Sequence, residues 1–336
     1  GPGGLLMPAI TVRETDGIEI TTASGVRVVA DGRRPDGDIN ILSHAHGDHL
    51  YSDPAPAEMV MSALTASLAA VRRETAPTVS SDPRVECFGA GHIPGSTAMR
   101  FTDPDSGVRV LYTGDCSLRD RLFIDGFDPV DADILITEAT YGDPRFVFDP
   151  QPALESAICD FIADTTDRPI ICMGYTLGRA QELCHLAHRA GAPQVYTSPA
   201  IARLNDVIGG VVDADLGAAP YDRDVDPGPG EVVVLPAQTN RLRFVDQLCA
   251  RTGAVRVGFS GWAVEEGFRY RGDYDVTFVL SDHCDFTELE ALVRAVDPQR
   301  VYVTHGARAS FAAHVQRSLG IPAQALARDQ FTLEDF

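Results

Sequence analysis

The segment LSHAHGDHL at residues 42–50 places three histidines and an aspartate within six residues. It follows the apolar run DINIL, which predicts a short buried strand that ends here. Imidazole and carboxylate groups are the ligands that zinc and similar divalent ions prefer. His44 and His46, two residues apart at the strand end, point to the same side and can bind one ion, while Asp48 and His49 lie on the following turn and can reach a second. Since a solvated polar turn has no need of four such groups, the segment predicts a metal site.

Three further candidate ligands lie at the ends of other predicted strands. His92 lies in GAGHIPGS, Asp115 ends LYTGD, and His305 ends VYVTHG. Each of them alone would be a weak indication, because single histidines are more often structural than ligating. The carboxyl ends of strands in an α/β sheet form its usual site edge. We therefore expect these residues to complete two metal shells, with Asp115 able to bridge two ions.

The order of predicted elements indicates an α/β protein. IEITTASGVRVVADG predicts a β-hairpin and AEMVMSALTASLAAVRRE a helix. After residue 149, helical patterns (PALESAICDFIADTT, LGRAQELCHLAHRAG) alternate with apolar strands (PIICMGY, QVYTSP), which predicts a parallel sheet. Residues 213–226 are expected to form a solvated loop. After residue 272 the chain returns to short strands with polar ends and a helix, FTELEALVRAV.

The charge of the chain is strongly negative, with 48 acidic and 28 basic residues and a net charge of −20. Every basic residue is an arginine, a pattern that favours adaptation to molar salt over general acidity. A protein of this charge should repel nucleic acid in dilute buffer. In molar salt the Debye length falls to about 3 Å, so this repulsion is largely screened. The acidity therefore does not exclude a nucleic-acid substrate, but it requires binding through short-range contacts.

The seven cysteines include no CxxC pair, so reduced thiols that fill the core are expected. No apolar run approaches 18 residues, and no signal peptide is evident. We therefore expect a cytoplasmic protein with no membrane partner.

Several motifs together resemble a known family. The HxHxDH segment, AGHIPGS and YTGD are similar to motifs of the metallo-β-lactamase fold. TEATYGD, SDHCDF and VTHG resemble the three additional motifs of the β-CASP nucleases, and GYTLGRAQEL and GFSGWA resemble segments of their cap domain. That family includes RNase J, the endonuclease subunit of mRNA 3′-end processing, and DNA cross-link repair and ligase-associated exonucleases. The resemblance covers nearly the whole chain, with the motifs in the family's order.

This resemblance implies a centre of two Zn²⁺ ions, for which Mn²⁺ can substitute. The implied ligands are His44, His46 and His92 for the first ion, Asp48, His49 and His305 for the second, and Asp115 between them. Asp31 would orient a ligand histidine through a hydrogen bond. Asp48 would also take a proton from the attacking water, and His283, paired with Glu138, would protonate the leaving oxygen.

The implied fold is an αββα metallo-β-lactamase sandwich with an inserted α/β β-CASP cap. The expected boundaries are 5–145 for the first part of the sandwich, 146–272 for the cap, and 273–336 for the second part. The implied function is hydrolysis of phosphodiester bonds in RNA or single-stranded DNA, in RNA processing or DNA repair. The short chain favours the exonuclease-like members that act from a 5′ end.

Two interpretations compete with a nuclease. One is a hydrolase of small esters or thioesters on the same fold, which would not need a Glu138–His283 pair. The other is a non-catalytic scaffold, which predicts lost ligands, although none is lost here. Two arginines are additional candidates for phosphate binding, namely Arg179 at a predicted helix start and Arg308 just after His305.

Overall fold

The computed structural model describes residues 10–327, which contain three six-stranded sheets. Residues 5–9 and 328–336 of the predicted sandwich lie outside the described part. Within the described part, no helix is both long and apolar enough to span a bilayer.

The first sheet contains the strands β1 (Thr11–Glu14), β2 (Ile18–Thr21), β3 (Arg27–Ala30), β4 (Ile39–Ile41), β5 (Glu58–Val60) and β6 (Thr78–Ser80), in that spatial order. β1, β2 and β3 are antiparallel, which confirms the predicted hairpin, and the remaining pairs are parallel. Helix α1 (Ala63–Arg72) connects β5 to β6.

The predicted helix in AEMVMSALTASLAAVRRE begins later than expected. Its first residues form β5, whose Met59 and Val60 side chains are buried. The Ser62 hydroxyl then accepts a hydrogen bond from the Thr65 amide at 3.0 Å, which caps the amino end of α1. An apolar run this short does not distinguish strand from helix, and the sheet neighbours decide it.

The second sheet is formed by two separate parts of the chain. The first supplies β7 (Val85–Gly89), β8 (Thr97–Thr102), β9 (Arg109–Tyr112) and β10 (Ile134–Ala139). β10 lies at the centre of the sheet and is buried at all six positions, as expected for a parallel strand that is covered on both faces.

The third sheet lies between these parts in sequence and is entirely parallel. Its elements are α2 (Gln151–Asp164), β11 (Ile170–Gly174), α3 (Arg179–Arg189), β12 (Val195–Thr197), α4 (Pro199–Gly209), β13 (Ala219–Pro220), β14 (Val232–Pro236), α5 (Arg243–Thr252), β15 (Val255–Phe259), α6 (Glu266–Gly272) and β16 (Val276–Phe278). The expected parallel sheet is therefore present. Two details differ: the loop at 213–226 contains the short β13, and β16 lies beyond residue 272 yet pairs with this sheet.

The chain then returns to the second sheet through α7 (Phe286–Val296), β17 (Arg300–Gly306), α8 (Arg308–His314) and β18 (Ala323–Ala325). The Asp285 and Glu288 side chains form a reciprocal capping box at the start of α7. The completed spatial order is β18-β17-β10-β9-β8-β7.

The apolar clusters define the layers. Val28, Ile41, Phe101 and Ile136 belong to one cluster shared by the first and second sheets. A second cluster joins the other side of the second sheet to α7 and α8. Leu68 of α1 packs in a further cluster that contains Leu42, just after β4, and Met59 of β5. The molecule is thus a mixed α/β protein with two facing sheets between helices, an arrangement consistent with a metallo-β-lactamase fold.

Candidate metal centre and active site

Four strand ends deliver the predicted ligands to one place. The turn after β4 carries the histidine-rich segment, the loop after β7 carries His92, the turn after β9 carries Asp115, and β17 carries His305. The turn to Asp115 requires Gly114, whose φ is +56° and whose missing Cβ would lie 2.7 Å from the Ser43 side chain.

The first group of donors is compact and consists of His44, His46, His92 and Asp115, with one donor atom of each within 4.8 Å of all the others. His92 Nε2 lies 3.1 Å from His46 Nδ1. Asp115 Oδ2 lies 3.5 Å from His44 Nε2 and 3.6 Å from His92 Nε2. Three imidazoles and a carboxylate around one point form a donor set that suits Zn²⁺.

Hydrogen bonds on the far side of each ring orient these donors. His44 Nδ1 is 2.9 Å from the Ser43 hydroxyl, His46 Nε2 donates to the Leu177 carbonyl at 2.9 Å, and His92 Nδ1 donates to the Asp282 carbonyl at 2.9 Å. The opposite nitrogens of these rings remain directed at the cluster. His44 Nε2 is buried without a hydrogen-bond partner among the described residues, so a bound cation would satisfy it.

Burial also sets the charge of this group. It lowers the pKa values of His44 and His46, and it lowers the pKa of His92 to about 3. Neutral imidazoles are the form that binds metals. A cation can therefore bind at this site without displacing protons from these three rings.

The second group of donors consists of Asp48, His49 and His305, of which Asp48 and His305 are exposed. His49 Nε2 lies 3.3 Å from Asp115 Oδ2 and 3.6 Å from Asp48 Oδ2. The His305 ring centroid lies 5.6 Å from that of His49, and the His305 side chain is exposed. The same Asp115 oxygen therefore faces both groups, and this carboxylate lies between them.

Asp31 lies behind the second group and accepts several hydrogen bonds. Its Oδ2 accepts from His49 Nδ1 at 2.9 Å, from the Ser43 hydroxyl at 2.6 Å and from the Tyr112 hydroxyl at 2.5 Å. Burial alone would lower the pKa of His49, but the charges and hydrogen bonds of Asp115 and Asp31 raise it well above the usual value. The hydrogen bond from His49 Nδ1 to Asp31 directs His49 Nε2 towards Asp115, and the orienting role of Asp31 stays a prediction.

We expect Asp31→Asn to weaken zinc binding by about 10- to 100-fold, because the amide no longer offers a charged acceptor to His49 Nδ1. Competition with a chromogenic chelator measures this change. Asp103→Asn is the matched control, since Asp103 is also a buried acceptor but lies outside the donor groups. Equal zinc affinity in the two variants would contradict the orienting role.

Glu138 and His283 form a pair beside the metal ligands. Glu138 Oε1 accepts a hydrogen bond from His283 Nδ1 at 2.9 Å, and the His283 ring centroid lies 4.7 Å from that of His92. Burial alone would lower the pKa of His283, but the charge and hydrogen bond of Glu138 outweigh it and raise the pKa to about 10. His283 is therefore a protonated donor at neutral pH.

A buried charge network, which the sequence motifs do not indicate, supports the His92 loop. Arg121 is fully buried and donates to the carbonyls of Gly91 and His92 at 2.5 and 2.7 Å. It also pairs with the buried Glu182 at 3.1 Å. Since Glu182 belongs to α3, this network ties the third sheet to a candidate metal ligand.

We expect Arg121→Met to destabilise the fold by about 3–5 kcal/mol, because it leaves the Glu182 carboxylate buried with less compensation. Urea unfolding measures the loss as a lower midpoint at an unchanged slope. The double variant Arg121→Met/Glu182→Leu should recover part of the loss, since it removes both charges. A single variant as stable as the parent chain would contradict the importance of this pair.

The two arginines expected to bind phosphate have other partners. Arg179 is buried, lies 3.5 Å from Glu182 and 3.6 Å from Asp282, and donates to the Phe259 carbonyl. Arg308 pairs with Glu14 at 3.2 Å and donates to the Leu326 carbonyl at 2.6 Å. Both guanidinium groups thus have partners within the fold, and phosphate binding by Arg179 and Arg308 stays a prediction.

One cavity of about 470 Å³ collects the reactive groups. It is lined by His46, Asp48, Asp115, His283 and His305, and also by Arg72, Tyr175 and Gln238. Carboxylates, imidazoles and the guanidinium of Arg72 thus face a common space. Such a site is suited to metal-assisted hydrolysis in which a leaving group receives a proton.

Comparison with known families supports this chemistry. Residues 276–326 match the RMMBL family, described as a Zn-dependent metallo-hydrolase RNA specificity domain. The matched segment begins at β16 and includes both His283 and His305.

Several named proteins are similar in sequence. A probable DNA ligase from Opitutus terrae is 31% identical over 304 residues, which cover 86% of this chain and 29% of the ligase. Cleavage and polyadenylation specificity factor subunit 3 from Dictyostelium discoideum is 38% identical over 30% of this chain and 13% of its own length. An RNase J-like protein from Methanocaldococcus jannaschii is 30% identical over 31% of this chain and 25% of its own. The chain thus spans less than a third of the length of each of these relatives.

A solved structure has a similar fold. The crystal structure of a protein of unknown function from Enterococcus faecalis V583 superposes with a TM-score of 0.58 and 14% identity, covering 88% of this chain and 94% of that one. At this identity the likeness concerns the fold alone.

Proposed function

Because this chain belongs to the β-CASP family of metallo-β-lactamase-fold proteins, we propose that it is a metal-dependent nuclease that hydrolyses phosphodiester bonds of RNA or single-stranded DNA. One observation carries the proposal: Asp115 belongs to the compact group with His44, His46 and His92 and also contacts His49, and the Glu138–His283 pair lies beside this group. A metal centre with an adjacent proton donor is what cleavage of a phosphodiester requires, since the leaving oxygen is a poor leaving group until it is protonated.

The donor set fits two zinc ions, with manganese as an alternative. The residues that would hold them are His44, His46 and His92 on one side, Asp48, His49 and His305 on the other, and Asp115 between. The ions would supply a water of lowered pKa and would stabilise negative charge on the phosphoryl oxygens.

The protein side chains would accept and donate the protons of the reaction. Asp48 is exposed to the cavity and is placed to accept a proton from the attacking water. His283 would donate a proton to the leaving oxygen, and Glu138 would keep that imidazole charged and oriented. The peptide carbonyls of Leu177 and Asp282 would hold two ligand rings during this exchange.

The α/β unit that contains the third sheet is proposed to be the β-CASP cap. We assign it residues 146–278 rather than 146–272, because β16 pairs with β15. The flanking segments would form the two parts of the metallo-β-lactamase domain. The cavity is lined by both units, with Asp48 and His305 from the sandwich and Tyr175 and Gln238 from the inserted unit, so substrate would enter between them.

Within the family, we propose the exonuclease-like group that acts from a 5′ end, in RNA processing or DNA repair. The similarity to a DNA ligase extends over most of this chain, whereas the RNA-processing relatives above match about a third of it. Because the relatives include proteins named for DNA and for RNA, both DNA and RNA are tested as substrates.

The experiment uses end-labelled single-stranded DNA and RNA, each with a 5′ phosphate or a 5′ hydroxyl, with zinc or manganese and over a range of KCl up to molar concentrations. Stepwise release of nucleotides from the 5′ end is the expected product pattern. The double variant Asp48→Asn/His49→Asn should lack activity.

Cleavage of small esters or thioesters alone would show a small-molecule hydrolase instead, and inactivity of the zinc-loaded chain on all substrates would show a scaffold. Nuclease activity that survives in the double variant would contradict the site assignment.

A further inference from the structure

Tyr175 is an exposed aromatic side chain at the candidate active site. It follows β11, 67% of its surface is exposed, and it lines the cavity with its ring centroid 6.5 Å from that of His46. Trp262 differs, because its ring packs against Tyr141 and Phe146 at 5.2 and 4.9 Å. A large ring exposed at a cleft is suited to stacking on a planar ligand.

The segment that carries Tyr175 is held in place on both sides. The Tyr175 carbonyl accepts a hydrogen bond from the Ala180 amide at 2.9 Å, and the Leu177 carbonyl accepts from His46 Nε2 at 2.9 Å. The Gly178 amide donates to Gln181 Oε1 at 2.6 Å. The ring is thus presented by an ordered turn, which lowers the entropic cost of ligand binding.

Arg72 supplies the positive charge in the same cavity. It lies in the last turn of α1 and is the single arginine among the lining residues of a chain without lysine. Its side chain is half-buried, and within residues 10–327 its guanidinium has no hydrogen bond or ion pair. Burial and the charge of Arg73 lower the pKa of Arg72, whereas Asp48 raises it. This guanidinium therefore remains available for an anion that enters the cleft.

We propose that Tyr175 and Arg72 form a nucleotide-binding subsite beside the metal ligands, in which the Tyr175 ring stacks on one unpaired base and the Arg72 guanidinium binds an adjacent phosphate. This inference rests on the proposed nuclease function and narrows its substrate. A base inside a duplex has both faces covered by its neighbours, so a stacking platform at the cleft selects a single-stranded end. In a chain of net charge −20, ring stacking and one local cation supply the short-range contacts that binding requires.

The first test measures binding of 5′-phosphorylated single-stranded oligonucleotides, with the full chain in the inactive Asp48→Asn/His49→Asn background. We expect Tyr175→Ala to weaken binding by about tenfold or more, with Tyr175→Phe close to the parent, because stacking contributes about 1–3 kcal/mol per base. Arg72→Ala should lower the slope of log affinity against log salt by about one. Matched controls are Tyr270→Ala, exposed on α6, and Arg294→Ala, in the last turn of α7, neither of which lines the cavity.

The second test locates the contacts with the active chain. Oligonucleotides that carry a single abasic site or a single methylphosphonate at successive positions are cleaved by the parent, Tyr175→Ala and Arg72→Ala chains. We expect the parent to be sensitive at one base and one adjacent phosphate. The base sensitivity should disappear in Tyr175→Ala, and the phosphate sensitivity should disappear in Arg72→Ala.

The two proposals fail in distinguishable ways. If the parent chain cleaves nucleic acid and both variants behave like the Tyr270 and Arg294 controls, the subsite is wrong and the nuclease stands. If the parent neither binds nor cleaves nucleic acid, both proposals are overturned.

Discussion

Asp115→Asn is expected to lower kcat/KM for nucleic-acid cleavage by about 10³-fold or more. One oxygen of this carboxylate lies within 3.6 Å of donor nitrogens of His44, His49 and His92. An amide of the same shape offers no negative charge to two neighbouring cations, and the charge stabilisation lost amounts to several kcal/mol. The variant should also bind fewer than two zinc ions, as measured by elemental analysis after gel filtration.

Asp120→Asn is the control for this experiment. Asp120 lies in the same loop and accepts a hydrogen bond from the Gly126 amide, but it belongs to neither donor group. Its activity and zinc content should match those of the parent chain. An Asp115→Asn chain that kept parental activity with two bound ions would show that Asp115 does not bridge the centre.

His283→Ala is expected to slow cleavage of an ordinary phosphodiester by about 10²- to 10⁴-fold, the range for loss of a general acid. A substrate whose leaving group is p-nitrophenolate needs no protonation, so its cleavage should be affected far less. The contrast between the two substrates separates proton donation from a general loss of structure. Equal losses on both substrates would argue against proton donation by His283.

The pH dependence gives an independent measure of the same pair. His283 donates a proton only in its charged form, which is depleted as the pH rises through its pKa. Since Glu138 raises that pKa, Glu138→Gln should move the alkaline fall in kcat/KM to lower pH while leaving zinc content unchanged. An alkaline limb at the parental pH would show that Glu138 does not control this proton.

The candidate metal ligands could be predicted from the sequence because they lie at strand ends. A strand end fixes where a side chain emerges, so HxHxDH, YTGD and VTHG could be assigned to one edge before the sheets were known. The pairing of Glu138 with His283 came from family resemblance, since 145 residues separate them.

The residues that support the site, in contrast, could not be predicted from the positions of strand ends. Arg121 occurs in no motif, and its burial depends on the meeting of the loop at Gly91 with α3. The contact of Arg179 with Asp282 likewise depends on tertiary packing and could not be predicted from its position at a helix start. Tyr175 lies in the segment GYTLGRAQEL, and nothing in this segment distinguishes an exposed ring from a core one.

The hydrogen bond from His46 Nε2 to the Leu177 carbonyl joins a candidate metal ligand of the sandwich to the turn after β11 in the inserted unit. An opening of the cleft that separated the two units would break this bond and leave the His46 imidazole free to rotate. Cleft opening and metal affinity would then be thermodynamically linked, because an ion that favours the oriented ring also favours the closed arrangement by the same free energy. Metal binding would therefore oppose opening of the cleft.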